Sequence, residues 1–369
     1  MIISRKYLPD SILLFIVCAL VILGVFVFTS ASFGLLTRDG ATWTNVLFSQ
    51  IVLGLGGGLL LGFIAYIIPL AKYRRFSLWL VLFAGLLCLI LFIPGVGFYS
   101  GGAVRWIHLF GISFQPSEFL KISLIIFLAH WASIIKGKIK TSKEGLLPFL
   151  GFMGVAGVLI VSEPDTGTFL VMLASALGIF ITAGGRYLHI AYIFLAGLLL
   201  VGGLVIARPY VRERIATFFD PDRDPLGASY QSKQALLAIG SGQLTGRGFG
   251  QSVQKYRSLP EPIGDSVFAV LGEEFGFVGT TILLLLYLSF FLRGLTIANR
   301  SSDEFHRLLG VGLAIMITAQ AFMHIGALIG LIPLTGVPLP FVSHGGTALM
   351  FSLIATGLLL QVSNKQNIT

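Results

Sequence analysis

The sequence predicts an all-α, polytopic integral membrane protein with ten transmembrane helices and one large extracytoplasmic loop. Three observations carry that prediction. The chain of 369 residues is 56% hydrophobic and only 11% charged, whereas soluble domains carry roughly 25% charged residues. Uncharged runs of about twenty residues, the length that crosses a bilayer as a helix, recur along it. One long polar interruption, from Ala207 to Phe277, holds eight of the sixteen Asp and Glu residues: Glu213, Asp220, Asp222, Asp224, Glu261, Asp265, Glu273 and Glu274.

The elements follow in order. The first run, Ile12–Ala31, is longer than the apolar core of a signal peptide and nine more follow, so it reads as a retained helix. Val46–Ile68 is the second span, and its glycines at Gly54–Gly58 would let another helix approach closely. The basic turn at Lys72, Arg74 and Arg75 leads to span three, Ser77–Pro94, and then to a glycine-rich loop. Span four, Pro116–Ile135, ends in four lysines within eight residues. Gly145–Ser162 and Thr168–Gly184 flank the turn "EPDTG", and Leu188–Ala207 is span seven. After the long loop come Phe277–Leu292, Leu308–Ile332 and Thr347–Val362, the last preceded by "PLTGVPLPFVSHGG". The whole reads as one membrane domain. Cys18 and Cys88 lie in separate apolar runs with no CxxC, as packing residues do.

The formal charge of +9 is distributed by side of the membrane, so no nucleic-acid partner is expected. One set of loops holds Arg5, Lys6, Lys72, Arg74, Arg75, Lys136, Lys138, Lys140, Lys143, Arg186, Arg293, Arg300, Arg307 and Lys365. The opposite short loops hold little beyond Arg38 and Arg105. The positive-inside rule then places both termini in the cytoplasm. Every polar segment punctuated by Gly or Pro falls on the outer side, where a site would meet the outer leaflet.

Asp265 is the foremost catalytic candidate. An Asp at a loop-to-helix junction also suits an N-cap, and local sequence weighs the two readings evenly. A carboxylate at an apolar boundary is a stronger base than one in water, which suits abstraction of a hydroxyl proton. Glu273 and Glu274 lie two turns or more further on, about 12–14 Å along a helix, too far for a hydrolase dyad at about 9.5 Å or less. Glu118 and Lys121 are i,i+3 and would pair on one helix face. With Arg105 they offer intramembrane charge, a functional-site candidate by default, and cations suited to a diphosphate. Glu163 and Asp165 sit in a turn that reads equally well as structural or functional. Ser343 and His344 lie in irregular backbone at membrane depth, tolerated only where it is buried or lines a cavity. No metal-ligand set is evident. The glycines of "GSGQLTGRGFG" lack the strand and the G-K-[ST] of a nucleotide loop.

Taken together, "GAVRWI", "FQPSEFLK", "EPDTGT", "AIGSGQLTGRGFG", "LPEPIGDSVFAVLGEEFGF" and "PLPFVSHGGTAL", in this order on ten spans, resemble the SEDS family (shape, elongation, division and sporulation). Within it the likeness is to the FtsW division branch more than to the RodA elongation branch. The resemblance implies a peptidoglycan glycosyltransferase. It would polymerise lipid II, a disaccharide-pentapeptide on undecaprenyl diphosphate, at the outer face of the bacterial cytoplasmic membrane, in the septal setting of cell division. It implies that Asp265 deprotonates the acceptor hydroxyl, with Arg105 and Lys121 balancing the diphosphate. Glu118, Glu163, Asp165, Ser343 and His344 are expected around the substrate. A class B penicillin-binding protein and other division membrane proteins are the implied partners. No cofactor is required, and a divalent cation (Mg or Mn) is compatible with the diphosphate. The sequence departs from the family at Ile263-Gly264, where a polar pair is usual, at Ser266 for Phe, and at His344 for Tyr. The rival classes are a lipid II flippase, which would spread polar groups along the whole membrane path, and a non-catalytic scaffold.

Overall fold

A computed structural model of the chain describes residues 9–37, 40–100, 103–109, 112–220, 222 and 229–364. Among these, nine helices are long and apolar enough to cross a membrane, and a shorter apolar helix, Thr166–Thr182, makes the tenth. Arg5, Lys6, Arg38 and Lys365, which weigh in the orientation, lie outside the described residues, as does Asp224 of the long loop.

The first helix, α1 (Ser11–Ser32), starts at Asp10, whose carboxylate accepts the Leu13 N–H at 2.8 Å and the Arg293 Nε–H at 2.9 Å. One side chain thus caps a helix and ties it to a distant one. The second span joins α2 (Gly40–Phe48), a π-helical turn (Ser49–Gly57) and α3 (Gly58–Ile67). Its glycines do permit close approach, against the last helix. A Cβ on Gly62 would lie 2.7 Å from the Leu353 carbonyl oxygen, and one on Gly357 2.1 Å from that of Gly62. Backbones in such contact pack by dispersion, the force left to helices in lipid.

The next helix, α4 (Leu70–Ile90), begins seven residues before the expected Ser77 and takes the basic turn into its first turns. Lys and Arg can stay helical there because their long stems reach water from the helix end; Arg74 meets Asp303 at 3.7 Å. The glycine-rich loop that follows folds as a small antiparallel sheet of β1 (Gly97–Ser100), β2 (Ala103–Leu109) and β3 (Ile112–Phe114). Phe98 faces Trp106, and Ile107 faces Phe114. Aromatic and β-branched residues between the glycines favour the extended backbone. This sheet carries Arg105.

Then come α5 (Pro116–Ile135), α6 (Leu147–Ser162), α7 (Thr166–Thr182) and α8 (Tyr187–Ala207). Of α8 only His189 and Ile193 are buried, so it stands almost free of the bundle. The long loop is folded into α9 (Pro209–Phe219), α10 (Tyr230–Ser241) and the single turn α11 (Gln254–Arg257). The span expected from Phe277 begins ten residues earlier, as α12 (Val267–Asn299), broken at Gly276 with φ +63 and ψ −159. Polar Glu273 and Glu274 sit in the outer piece of that helix, buried because partners meet them there. The bundle closes with α13 (Glu304–Leu328) and α14 (Gly346–Asn364), which with α5 form its buried centre.

Candidate active site

Asp265 sits in the turn that delivers the chain into α12. Gly264 and Ser266 both donate their N–H groups to the Glu261 carbonyl at 3.1 Å, and the Ser266 hydroxyl donates to the Pro260 carbonyl at 2.7 Å. The N-cap position belongs to Ser266, and no side chain caps the helix there. Asp265 therefore does not serve as the cap, and its carboxylate is left for other work. Among the described residues no hydrogen bond or ion pair reaches it.

That half-buried carboxylate lines a small recess with Arg214, Gln231, His324, Thr335 and Gly336. Gly336, at φ +67, is the floor between the charges. A Cβ built there would lie 3.5 Å from Asp265 Oδ2 and 3.6 Å from an Arg214 terminal nitrogen. A side chain at 336 would sit in contact with both groups and in a conformation that L residues rarely adopt. Arg214 is aimed by its N–H to the Leu334 carbonyl at 3.0 Å. Burial pushes the Arg214 guanidinium down from its ordinary range and neighbouring Arg105 acts the same way, while Asp265 opposes both. It stays charged at neutral pH, as guanidinium does. His324 turns its Nδ1 to the Val337 carbonyl at 2.8 Å. A carbonyl only accepts, so Nδ1 carries a proton, and the buried Nε2 has no partner among the described residues.

The recess opens beside a cavity of about 670 Å³ lined by Arg105, Arg214, Lys233, Tyr210, Tyr230 and Gln231, with Leu236, Ile329 and Ile332 as apolar wall. Three cations on one cavity with apolar sides suit a lipid-borne anion. Arg105 reaches it from β2, donating to the carbonyls of Glu163 (3.0 Å) and Pro164. Glu163 is buried at that turn. Burial pushes its pKa up to about 8, with Asp165 adding to the rise and Cys88 and Arg105 opposing it. Asp165 caps α7 through the Thr168 N–H at 3.2 Å and takes the Gln115 amide at 3.4 Å.

The other expected residues are placed apart from the cavity lining. Lys121 and Glu118 do pair, at 2.8 Å and both buried. Lys121 also donates to Gln320 Oε1 at 2.6 Å, and Gln320 donates to the Pro338 carbonyl at 2.8 Å. Its cation thus lies inside the bundle, two hydrogen bonds behind the segment that carries Gly336. Ser343 and His344 meet the Asp265 turn from below. The His344 ring stacks on Phe28 with centroids 5.9 Å apart, and burial pushes its pKa down to about 4.

Glu273 and Glu274 are fully buried, Glu273 with partners on both oxygens and Glu274 with all of its partners on Oε1. Glu273 accepts the Ser252 hydroxyl at 2.6 Å and the N–H groups of Val253 and Gln254 at 3.0 and 3.3 Å. Glu274 accepts Lys255 Nζ at 2.7 Å and the Ser30 hydroxyl at 2.6 Å. These acids clamp the loop to α1. Sequence reasoning passed over Arg214, Gln231, His324 and Lys255. A polar residue inside an apolar span, as His324 is, was the signal available; nothing local marks the others.

The chain as a whole resembles known proteins. The family model of the FtsW/RodA/SpoVE cell cycle proteins matches residues 10–368. "Stage V sporulation protein E" of Bacillus subtilis (strain 168) is 37% identical over 367 residues, covering 98% of each chain. "Probable peptidoglycan glycosyltransferase FtsW" of Geobacter sp. (strain M18) is 37% identical over 313 residues, covering 83% of this chain and 84% of that one. Among solved structures, a chain of a peptidoglycan synthase complex, described as coordinating polymerization and crosslinking, superposes with a TM-score of 0.80 at 29% identity, covering 98% of this chain and 99% of that one. The rod shape determining protein RodA of Thermus thermophilus gives 0.69 at 26% identity, covering 98% of both. With the match running from the first helix to the last, this chain belongs to the FtsW/RodA/SpoVE family of cell cycle proteins.

Proposed function

We propose that the chain is a peptidoglycan glycosyltransferase that extends glycan strands from lipid II. The observation that carries the reading is Asp265: an acid with no partner among the described residues, opening beside a cavity with three cations. In the reaction, a carboxylate oxygen of Asp265 takes the proton of the acceptor 4-hydroxyl. The freed oxygen attacks the anomeric carbon of the donor with inversion, the bond from that carbon to the phosphate oxygen breaks, and the lipid diphosphate leaves. Arg105, Arg214 and Lys233 hold the departing charge, and Lys121 acts on it from within the bundle. Fixed cations aimed at developing charge supply the largest share of most such rate gains. Glu118 pairs with Lys121, the Glu163 turn holds Arg105 through its backbone carbonyls, Asp165 caps α7 at that turn, and Ser343 and His344 support the acid. A divalent cation (Mg or Mn) would arrive with the diphosphate as its counter-ion; among the described residues no three His, Cys, Asp or Glu side chains gather to hold one.

The same reading puts both termini in the cytoplasm and the cavity at the outer face of the cytoplasmic membrane. It assigns the septum as the place of work, with a class B penicillin-binding protein and other division proteins as partners. Purified chain, alone and with its class B partner, is given lipid II, and glycan products are resolved on a gel. Long strands from wild type and none from folded Asp265→Ala and Asp265→Asn are expected. Transfer of lipid II across liposomes without polymer would instead make it a flippase, and polymer from both variants would remove Asp265 as the base.

A further inference from the structure

The Asp265 turn is held from beneath by a chain of buried hydrogen bonds that begins on the second span. Gln50, 4% exposed, lies in the π-helical turn Ser49–Gly57. Such turns inside helices recur at functional sites. Its Nε2 donates to the Ser343 carbonyl at 3.1 Å, and its Oε1 accepts the Gly345 N–H at 3.1 Å. One amide thus straps both sides of the Ser343–Gly345 turn, and the partners fix which way round it sits: a carbonyl only accepts and an N–H only donates. The strapped turn grips the Asp265 turn in two places. The Ser343 hydroxyl donates to the Gly264 carbonyl at 2.9 Å, and the His344 N–H donates to the Ile263 carbonyl at 2.7 Å. Ser343 Oγ accepts the Leu339 N–H at 2.9 Å as well, so its proton is committed within the protein and is not offered to a ligand.

Gly264 and Ile263 are the two residues before Asp265. The turn's other hydrogen bonds run within it, to the Glu261 and Pro260 carbonyls, or from Gln231 to the Ser266 hydroxyl at 3.2 Å, so the strap is what fixes the two residues before Asp265 to the bundle. A misplacement of about an ångström costs a reacting group on the order of 100-fold in rate. We propose that Gln50 and Ser343 are positioning residues, acting through the Ile263 and Gly264 carbonyls to set where the Asp265 carboxylate stands. The kinetic part rests on the transferase reading; the positional part does not.

The test uses the full chain in lipid nanodiscs with its class B partner. Gln50→Met keeps an unbranched side chain of similar length and removes both hydrogen bonds. Ser343→Ala removes the hydroxyl and Ser343→Thr keeps it. Amide hydrogen exchange should accelerate at residues 261–267 and 339–345 in Gln50→Met, while 252–255, held separately by Glu273, keep their protection. The kcat for lipid II polymerisation should fall at least tenfold in Gln50→Met and Ser343→Ala with KM within twofold, and Ser343→Thr should return near wild type. Unchanged exchange at 261–267, or a folded Gln50→Met with wild-type kcat, overturns the proposal, as does a Ser343→Thr as impaired as Ser343→Ala. If wild type makes no polymer but the exchange pattern appears, the transferase reading falls and the positional relay stands.

Discussion

Two acidic sites lie within ten residues of each other and differ in burial and in their partners. Glu273 is saturated and Glu274 nearly so, with only its Oε2 unpartnered: hydroxyls, backbone N–H groups and the buried ammonium of Lys255 meet them. Asp265 is surrounded by polar groups, yet none among the described residues is bonded to it. A buried charge that has spent its hydrogen-bonding capacity holds structure, whereas one that has not is available to a substrate. Charge is alike in both, so what separates the two is that the glutamates are fully buried among partners and Asp265 is half-buried without them.

The largest expected effect falls on the unsaturated acid. Asp265→Asn should lower polymerisation by about 10²–10⁴-fold, the usual span of a general base, while the thermal midpoint stays at the wild-type value. An equal loss of midpoint would make Asp265 a structural acid and dissolve the contrast. The saturated site should answer the other way. Glu274→Gln leaves Lys255 charged and buried without its partner, a destabilisation of about 3–5 kcal/mol, read as a lowered midpoint in detergent. Pairing it with Lys255→Met should return much of that loss, since an apolar replacement of both members is close to neutral.

Arg214 tests whether the cavity recognises charge. Arg214→Ala should raise KM by about 10- to 100-fold, matching the ~1.5–3 kcal/mol of a hydrogen bond to a charged group, with a smaller change in midpoint. Glu163 gives the smallest effect, seen only in a slope. Its folded pKa, about 8, lies above the ordinary carboxylate value, so the native state holds a proton that the unfolded chain releases. The stability tied to that proton is complete below about pH 4.5 and is lost as pH rises through about 8. Glu163→Gln should flatten that decline, measured as thermal midpoint against pH; an unchanged slope would show that this carboxylate ionises freely.

The spans, the Glu118–Lys121 pair and the close glycines were legible because each is local. Hydropathy runs, an i,i+3 spacing and a cluster of small residues are all written within a few residues. The saturation that divides the two acid sites is not. Ser30 and Glu274 are 244 residues apart in the chain, and Gln50 and Ser343 are 293 apart. No periodicity reports such a pairing. Lys255 shows the point most plainly: in a polar stretch it reads as a solvated lysine, and its ammonium is fully buried. Gln50, Gln320 and His324 did leave a trace, since a polar side chain in an apolar run needs a partner within the membrane.

The break at Gly276 has a mechanical meaning. A helix interrupted there exposes backbone groups on both sides, and the loop after α10 returns the missing bonds. Phe277 and Val278 donate to the carbonyls of Gln243 and Leu244, while Arg247 and Gly248 donate to those of Glu273 and Glu274. The joint is stitched by a neighbour instead of being left slack. The 243–248 loop is thus bonded to α12 on both sides of Gly276 and splints the break. A pull on α10 by a protein outside the membrane should therefore load α12 on both sides of the break at once, instead of bending the helix at Gly276.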